Sequence, residues 1–293
     1  MKIKYQLEIK DSHGNLSTSK NIISYLEFVK TISFAGITSN SNPLQNLFRF
    51  LENIYGFAPS FIDGKFHIHP ELENDPTEKG QFSNKVGRTF AVYLAKKISG
   101  AKYVYIYECA LKNKGYSISG TRPDYYCDTT TQFFSLEAKG RGDSSISETD
   151  MQSYKHQSQS GSLPKSFSIA SATFNIYDSP KIKFYDPESD KKEYEYRFSE
   201  ALRKDYYKGI LKILNSSFFN QSENIKEDFY SYKPIIDPDI FEVLVHKSIV
   251  EKKDLLEKID AVCEGNRFID TDGIGLIINM SKIIKRIKIK NMI

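Results

Sequence analysis

The chain has 293 residues, 40% of them hydrophobic, enough for one large domain or for a core carrying one or two lobes. Its formal net charge of +4 is too small by itself to establish a nucleic-acid partner, so the distribution of charge matters more than the sum. Three cysteines (Cys109, Cys127, Cys263) without CxxC spacing argue against a disulfide framework or a structural zinc site.

Residues 1–10 (MKIKYQLEIK) alternate with period two and run into the turn formers DSHGN, which predicts a strand and a turn. That alternation is unlike the apolar block of a signal peptide. No later run reaches the roughly 18 apolar residues of a membrane span, so a cytoplasmic protein without membrane partners is expected. Between Ile22 and Tyr55 the apolar positions fall mostly at helical spacing, broken by TSNSNP, which predicts two helices. The polar stretch HPELENDPTEKGQ then reads as a boundary.

The middle of the chain has a definite order. Residues 84–99 carry Val86, Phe90, Leu94 and Ile98 on one helical face, with Gly100 placed for a left-handed C-terminus. Strands are predicted at about 102–110, 120–127 and 132–140, then a polar helix at 147–159 and an apolar strand at 167–177. Beyond Asp178 the chain becomes rich in Lys, Glu and Tyr. It then reads as helical at about 199–214 and again at 241–262, before a strand pair across Asp272-Gly273. The linear reading is therefore an N-terminal mixed region at 1–80, a core at 81–178 and a C-terminal helical and strand region at 179–293.

The chemistry concentrates in FFSLEAKGR. Alternation along a strand puts Phe134, Leu136 and Ala138 on one face and Ser135, Glu137 and Lys139 on the other. A carboxylate and an ammonium side by side on a central strand need a partner or a ligand; alone, they read as a cross-strand salt bridge on a solvated face. Arg122-Pro123-Asp124 alters that reading, because an antiparallel hairpin can return Asp124 to the side of Glu137. Paired carboxylates repel unless a cation lies between them, and hard oxygen ligands suit Mg²⁺ or Mn²⁺. Such an ion beside a lysine fits phosphodiester hydrolysis.

At Pro123-Asp124 and Glu137-Ala138-Lys139, within the order helix, three strands, helix, strand, the sequence resembles the PD-(D/E)XK nuclease superfamily. The resemblance covers roughly residues 84–177. It implies an α/β fold with a restriction-endonuclease-like core, a mixed sheet flanked by helices, and N- and C-terminal additions that set substrate recognition, dimerisation or a protein partner. It also implies that Asp124 and Glu137 hold the metal and that Lys139 serves the attacking water. Members with a glutamine on the helix after the lysine strand point to Gln152 as a further catalytic residue, with Gln157 the other candidate. The first core helix departs from the pattern: it lacks the acid that many members carry and has Arg88 in its interior, with Glu108 the available substitute only if it faces the site.

Charge supports a phosphate partner. Residues 85–142 hold ten Lys/Arg against four acids, and SKIIKRIKIK near the C-terminus adds five cations without an acid. Arg88, Lys112, Lys114, Arg122 and Arg141 are the candidate nucleic-acid contacts, with Lys96, Lys97 and the basic tail also expected to add affinity. The expected activity is a metal-dependent nuclease, DNA favoured as substrate and endonuclease favoured over exonuclease. By analogy of fold its setting is restriction, phage defence, mobile-element processing or repair. The alternative is a nucleic-acid-binding or assembly protein that keeps the fold without catalysis. His67 and His69 share a strand face but lack a third ligand, and Gly273 to Gly275 fits a hairpin better than a phosphate loop.

Overall fold

The computed structural model describes residues 1–185, 195–226, 228–255 and 258–290. It begins with strands β1 (Lys2–Lys10) and β2 (Leu16–Ser24), then helices α1 (Tyr25–Phe34), α2 (Pro43–Asp63) and α3 (Pro76–Lys97). The middle runs β3 (Tyr103–Ile106), α4 (Tyr107–Lys114), β4 (Tyr125–Asp128), β5 (Phe133–Gly140), α5 (Glu148–Gln159) and β6 (Phe167–Phe174). There follow β7 (Lys181–Tyr185), α6 (Tyr196–Leu214), β8 (Phe219–Lys226), β9 (Phe229–Pro234) and β10 (Phe241–His246). The chain continues through α7 (Lys247–Lys252), β11 (Val262–Glu264), β12 (Arg267–Ile269), β13 (Ile274–Ile278) and α8 (Met280–Lys290). The protein is α/β, and no helix among the described residues is long and apolar enough to cross a membrane.

The chain forms two units, and they interleave instead of following one another in three consecutive segments. The first comprises Met1–Ser24 and Ser60–Glu200, the second Tyr25–Pro59 and Ala201–Ile293. The N-terminal hairpin thus belongs with the middle of the chain, not with a separate region at 1–80. Of the Lys/Glu/Tyr-rich segment after Asp178, residues 186–194 lie outside the described residues.

The first unit is built on a seven-stranded mixed sheet in the order β2-β1-β7-β6-β5-β4-β3. Strands β3, β4 and β5 form an antiparallel meander, and β5 continues through α5 to a parallel β6. Helices cover both faces of β5. Gly140 lies so close to α3 that an added Cβ would stand 1.8 Å from the Ser83 carbonyl oxygen. On the other face the Ser135 hydroxyl donates to the Ser158 carbonyl of α5 at 2.5 Å. Ser135 and Glu137 on this face are therefore buried, unlike a salt bridge on a solvated face.

Local chemistry fixes the flanking helices. Asp75 caps α3 by accepting from the Thr77 and Glu78 amides, with Pro76 opening the helix. Ser147 and Asp150 form a capping box on α5, whose buried face is Met151, Tyr154 and Ser158. Two predicted strands are shorter than their sequences suggest. Tyr107, Ala110 and Leu111 are buried at helical spacing, so the run after Ile106 is α4 instead of the rest of a strand to 110. The strand expected from 120 begins only at Tyr125, after Gly120 at φ +69° and Pro123, which has no N–H to give a ladder.

The second unit holds a six-stranded antiparallel sheet, β11-β12-β13-β10-β9-β8. Phe241–His246, expected to be helical, is a strand paired with β9 on one side and β13 on the other. Helix follows only over Lys247–Lys252, and residues 256 and 257 of that predicted helix lie outside the described residues. The strand pair expected across Asp272-Gly273 is present as β12 and β13. Inside this unit Lys30 is 1% exposed, with Nζ 2.5 Å from Asp270 and 2.7 Å from Asp272.

Candidate active site

Tyr125 pairs with Leu136, and the same register carried back one residue sets Asp124 opposite Glu137. The position is held at both ends of the residue. The Tyr107 amide donates to the Asp124 carbonyl at 3.0 Å, and the Ala138 amide, between Glu137 and Lys139, donates to Asp124 Oδ2 at 3.1 Å. A carboxylate that receives a backbone N–H from inside the Glu-Ala-Lys run is tied to that run whatever the solvent does.

Glu137 is 0% exposed. Lys139 lies against it, with Nζ 2.5 Å from Oε1 and a side chain 30% exposed, and the Asp124 backbone N–H also faces its carboxyl. Burial, and after it the nearby Asp124 charge, push the Glu137 carboxyl from 4.5 up to about 7, while Lys139 pulls the other way.

Arg88 reaches the same place from α3. Its Nε donates to the Tyr125 hydroxyl at 3.0 Å, and its guanidinium lies 5.2 Å from that ring. Burial opposes its charge, but Tyr125, Asp124 and Glu137 outweigh it and hold Arg88 above its ordinary range. The residue as a whole is exposed, so its outer edge is open to a ligand. The inner part of α3 thus brings a cation toward Asp124 and Glu137, not the acid that the resemblance calls for.

Glu108 does not make up that acid. It pairs with Arg122, which places its carboxylate against the guanidinium of the loop before Asp124. Gln152 is exposed on α5, away from the buried face. The other glutamine, Gln157, is the one turned toward the loop, and its Nε2 donates to the Arg122 carbonyl at 3.2 Å. The preference for Gln152 is therefore reversed by the pitch of α5.

The basic candidates are mostly compensated. Lys114 pairs with Glu195 and lies over Phe198, and Arg141 stands 3.7 Å from Asp150 and 4.0 Å from Asp143. Lys112 is exposed and Lys97 donates to the Tyr93 hydroxyl. In the basic tail, Lys282 pairs with Asp239 and Arg286 with Asp237, whereas the side chains of Lys288 and Lys290 lie outside the described residues. His67 pairs with Asp63, and His69 accepts from the Glu71 amide.

Two tyrosines belong to the site and carry no motif. Tyr125 orients Arg88, and the Tyr154 ring lies 5.7 Å from Lys139 Nζ and 5.6 Å from the Arg141 guanidinium. The helical spacing of Met151, Tyr154 and Ser158 is the sequence signal that turns Tyr154 inward.

Among the described residues no group of three or more His, Cys, Asp or Glu converges on one point. Asp124 and Glu137 still fit a hard divalent cation, since Mg²⁺ is commonly held by one or two carboxylates and completed by water and substrate phosphate. The meeting of two carboxylates, one of them buried and pushed up by burial and by the other's charge, is the observation that favours such a ligand. The chain matches no family model, no curated protein and no solved structure.

Proposed function

We propose that this protein is a divalent-metal-dependent nuclease of the PD-(D/E)XK type that hydrolyses phosphodiester bonds, with DNA the favoured substrate and internal cleavage favoured over end-wise digestion. One observation carries the reading: a fully buried Glu137 set across the hairpin from a second carboxylate, Asp124, with Lys139 Nζ 2.5 Å from its Oε1. A salt bridge made for stability has no need of the second acid, which raises the cost of the first. The order helix, meander β3-β4-β5, helix α5 and parallel β6, with α4 added after β3, supports the reading.

In this reading Asp124 and Glu137 hold Mg²⁺ or Mn²⁺, which when bound activates a water and neutralises charge on the phosphate. Lys139, on the wet side of Glu137, orients the attacking water and takes up or stabilises developing charge. Arg88 faces a phosphate oxygen while Tyr125 fixes its plane, which suits the fork of a guanidinium. Gln157 holds the loop before Asp124 in place through the Arg122 carbonyl.

The test is cleavage of labelled DNA and RNA by the parent chain, with and without Mg²⁺ or Mn²⁺. The rival reading, a binding protein with a buried ion pair, is favoured by the short Lys139–Glu137 contact itself. It predicts nucleic-acid binding without cleavage under any metal.

A further inference from the structure

The loop that delivers Asp124 also forms one wall of a groove. Helix α4 ends at Gly115, whose φ of +79° turns the chain away, and Gly120 at φ +69° turns it again before Arg122-Pro123-Asp124. Residues that carry a side chain rarely adopt this backbone region, so the two glycines define the loop's path. Facing it are Gly161 and Ser162, just past the end of α5, and the space between measures about 690 Å³.

The lining has an uncommon composition. Tyr116, Ser117, Ser119, Thr121 and Ser162 contribute five hydroxyls, and Arg122 is the one cation among the lining residues. None of those five hydroxyls has a hydrogen-bond partner among the described residues, and Tyr116 is 42% exposed. Hydroxyls and a lone arginine suit phosphate and sugar oxygens, and an exposed ring offers a stacking face to a base. The volume falls in the range of roughly 300–1,000 Å³ that encloses a ligand of small-molecule size. A duplex is too bulky for such a space, whereas a short stretch of unpaired strand fits.

We propose that this groove binds the single-stranded nucleic-acid segment next to the scissile phosphate, with Tyr116 stacked on a base and Arg122 and the hydroxyls on the backbone. The proposal rests on the nuclease reading for the position of that phosphate, two residues beyond Arg122 at Asp124. Arg122 is already held by Glu108, so strand binding exchanges one partner for another and brings in little net charge. Weak salt dependence follows, in contrast to a surface of free lysines.

The experiment is fluorescence polarisation of a short labelled oligothymidylate on the metal-free full chain, with a duplex of equal length as the comparison. The parent is expected to bind the single strand more tightly than the duplex. Tyr116→Ala should weaken single-strand binding by roughly 5- to 150-fold, the effect of losing one base–aromatic stack. Ser162→Trp, which fills the groove from the opposite wall, should weaken it similarly, and Arg122→Gln should weaken it while changing the salt slope little. Melting temperatures confirm that the variants fold. Single-strand affinity unchanged in both Tyr116→Ala and Ser162→Trp overturns the groove, as does a parent that prefers duplex. The two readings fail separately. Variant-sensitive binding by a parent that cleaves nothing supports the groove and removes the nuclease, whereas cleavage with variant-insensitive binding removes the groove alone.

Discussion

Lys139 Nζ stands 2.5 Å from Glu137 Oε1, yet the carboxylate is fully buried and the lysine side chain is 30% exposed. The ion pair spans the boundary between the core and water. Lys139 keeps Glu137 partly ionised from the wet side, where the lysine remains available to a substrate. Lys139→Ala should therefore leave metal binding in place and lower hydrolysis by roughly two or more orders of magnitude. Calorimetric metal titration beside a cleavage assay separates the two effects, and equal loss of both would make Lys139 a structural support.

Metal binding should follow the Glu137 proton. With its carboxyl at about 7, Glu137 is protonated at lower pH and must release that proton to become a ligand. Apparent affinity for Mg²⁺ or Mn²⁺ should rise about tenfold per pH unit below 7 and level off above it. Titration calorimetry in two buffers of different ionisation enthalpy should register about one proton released at pH 6. Without Lys139, the plateau should begin at higher pH.

Stability should move in the opposite direction. Because the folded chain keeps the Glu137 proton from 4.5 up to about 7, where the unfolded chain loses it, stability falls across that window as pH rises. The full cost at pH 8 is about 3 kcal/mol. Glu137→Gln removes it, so this variant should melt higher than the parent at pH 8 without metal and about equally at pH 4. A variant that is less stable at pH 8 would mean that Glu137 supports the fold.

Much of this site is legible in the sequence. The alternation in FFSLEAKGR locates β5, and Ser147 with Asp150 marks the start of α5. The hairpin return of Asp124 follows from the turn between the strands. What the sequence hides has physical reasons. The strand-favouring density of KYVYIY carries the expected strand on into ECAL, but from Tyr107 the buried positions have helical period, and tertiary packing decides between the two. Phe241–His246 is buried on both faces, so its apolar run has no period that separates strand from helix. Counting cations in 85–142 overstates the free charge, since Glu195, lying far along the chain, neutralises Lys114. The choice between Gln152 and Gln157 depends on the rotation of α5 about its axis, which a motif does not specify.

The second unit has a buried charge of its own. Lys30 faces Asp270 and Asp272, and Asp272 also accepts from the Tyr206 hydroxyl at 2.9 Å and the Ile274 amide at 3.1 Å. Lys30→Met would leave two buried carboxylates without their cation, at a cost of about 3–5 kcal/mol. Denaturant unfolding should show that loss. A change below about 1 kcal/mol would show that water reaches the cluster.

The central claim is that Asp124 and Glu137 together make a metal-dependent phosphodiesterase, and one measurement addresses it most directly. Plasmid, linear duplex, single-stranded DNA and RNA are incubated with the parent chain and with Asp124→Asn and Glu137→Gln, each with Mg²⁺, with Mn²⁺ and with chelator. Both substitutions preserve shape, and the carboxamide that replaces the Asp124 carboxylate retains an oxygen for the Ala138 amide, so the variants should fold as the parent does. The account predicts cleavage of at least one substrate by the parent with metal, none with chelator, and loss of roughly two or more orders of magnitude in each variant. Cleavage that proceeds equally in parent and variants, or a parent inert toward every substrate with either metal, would contradict it.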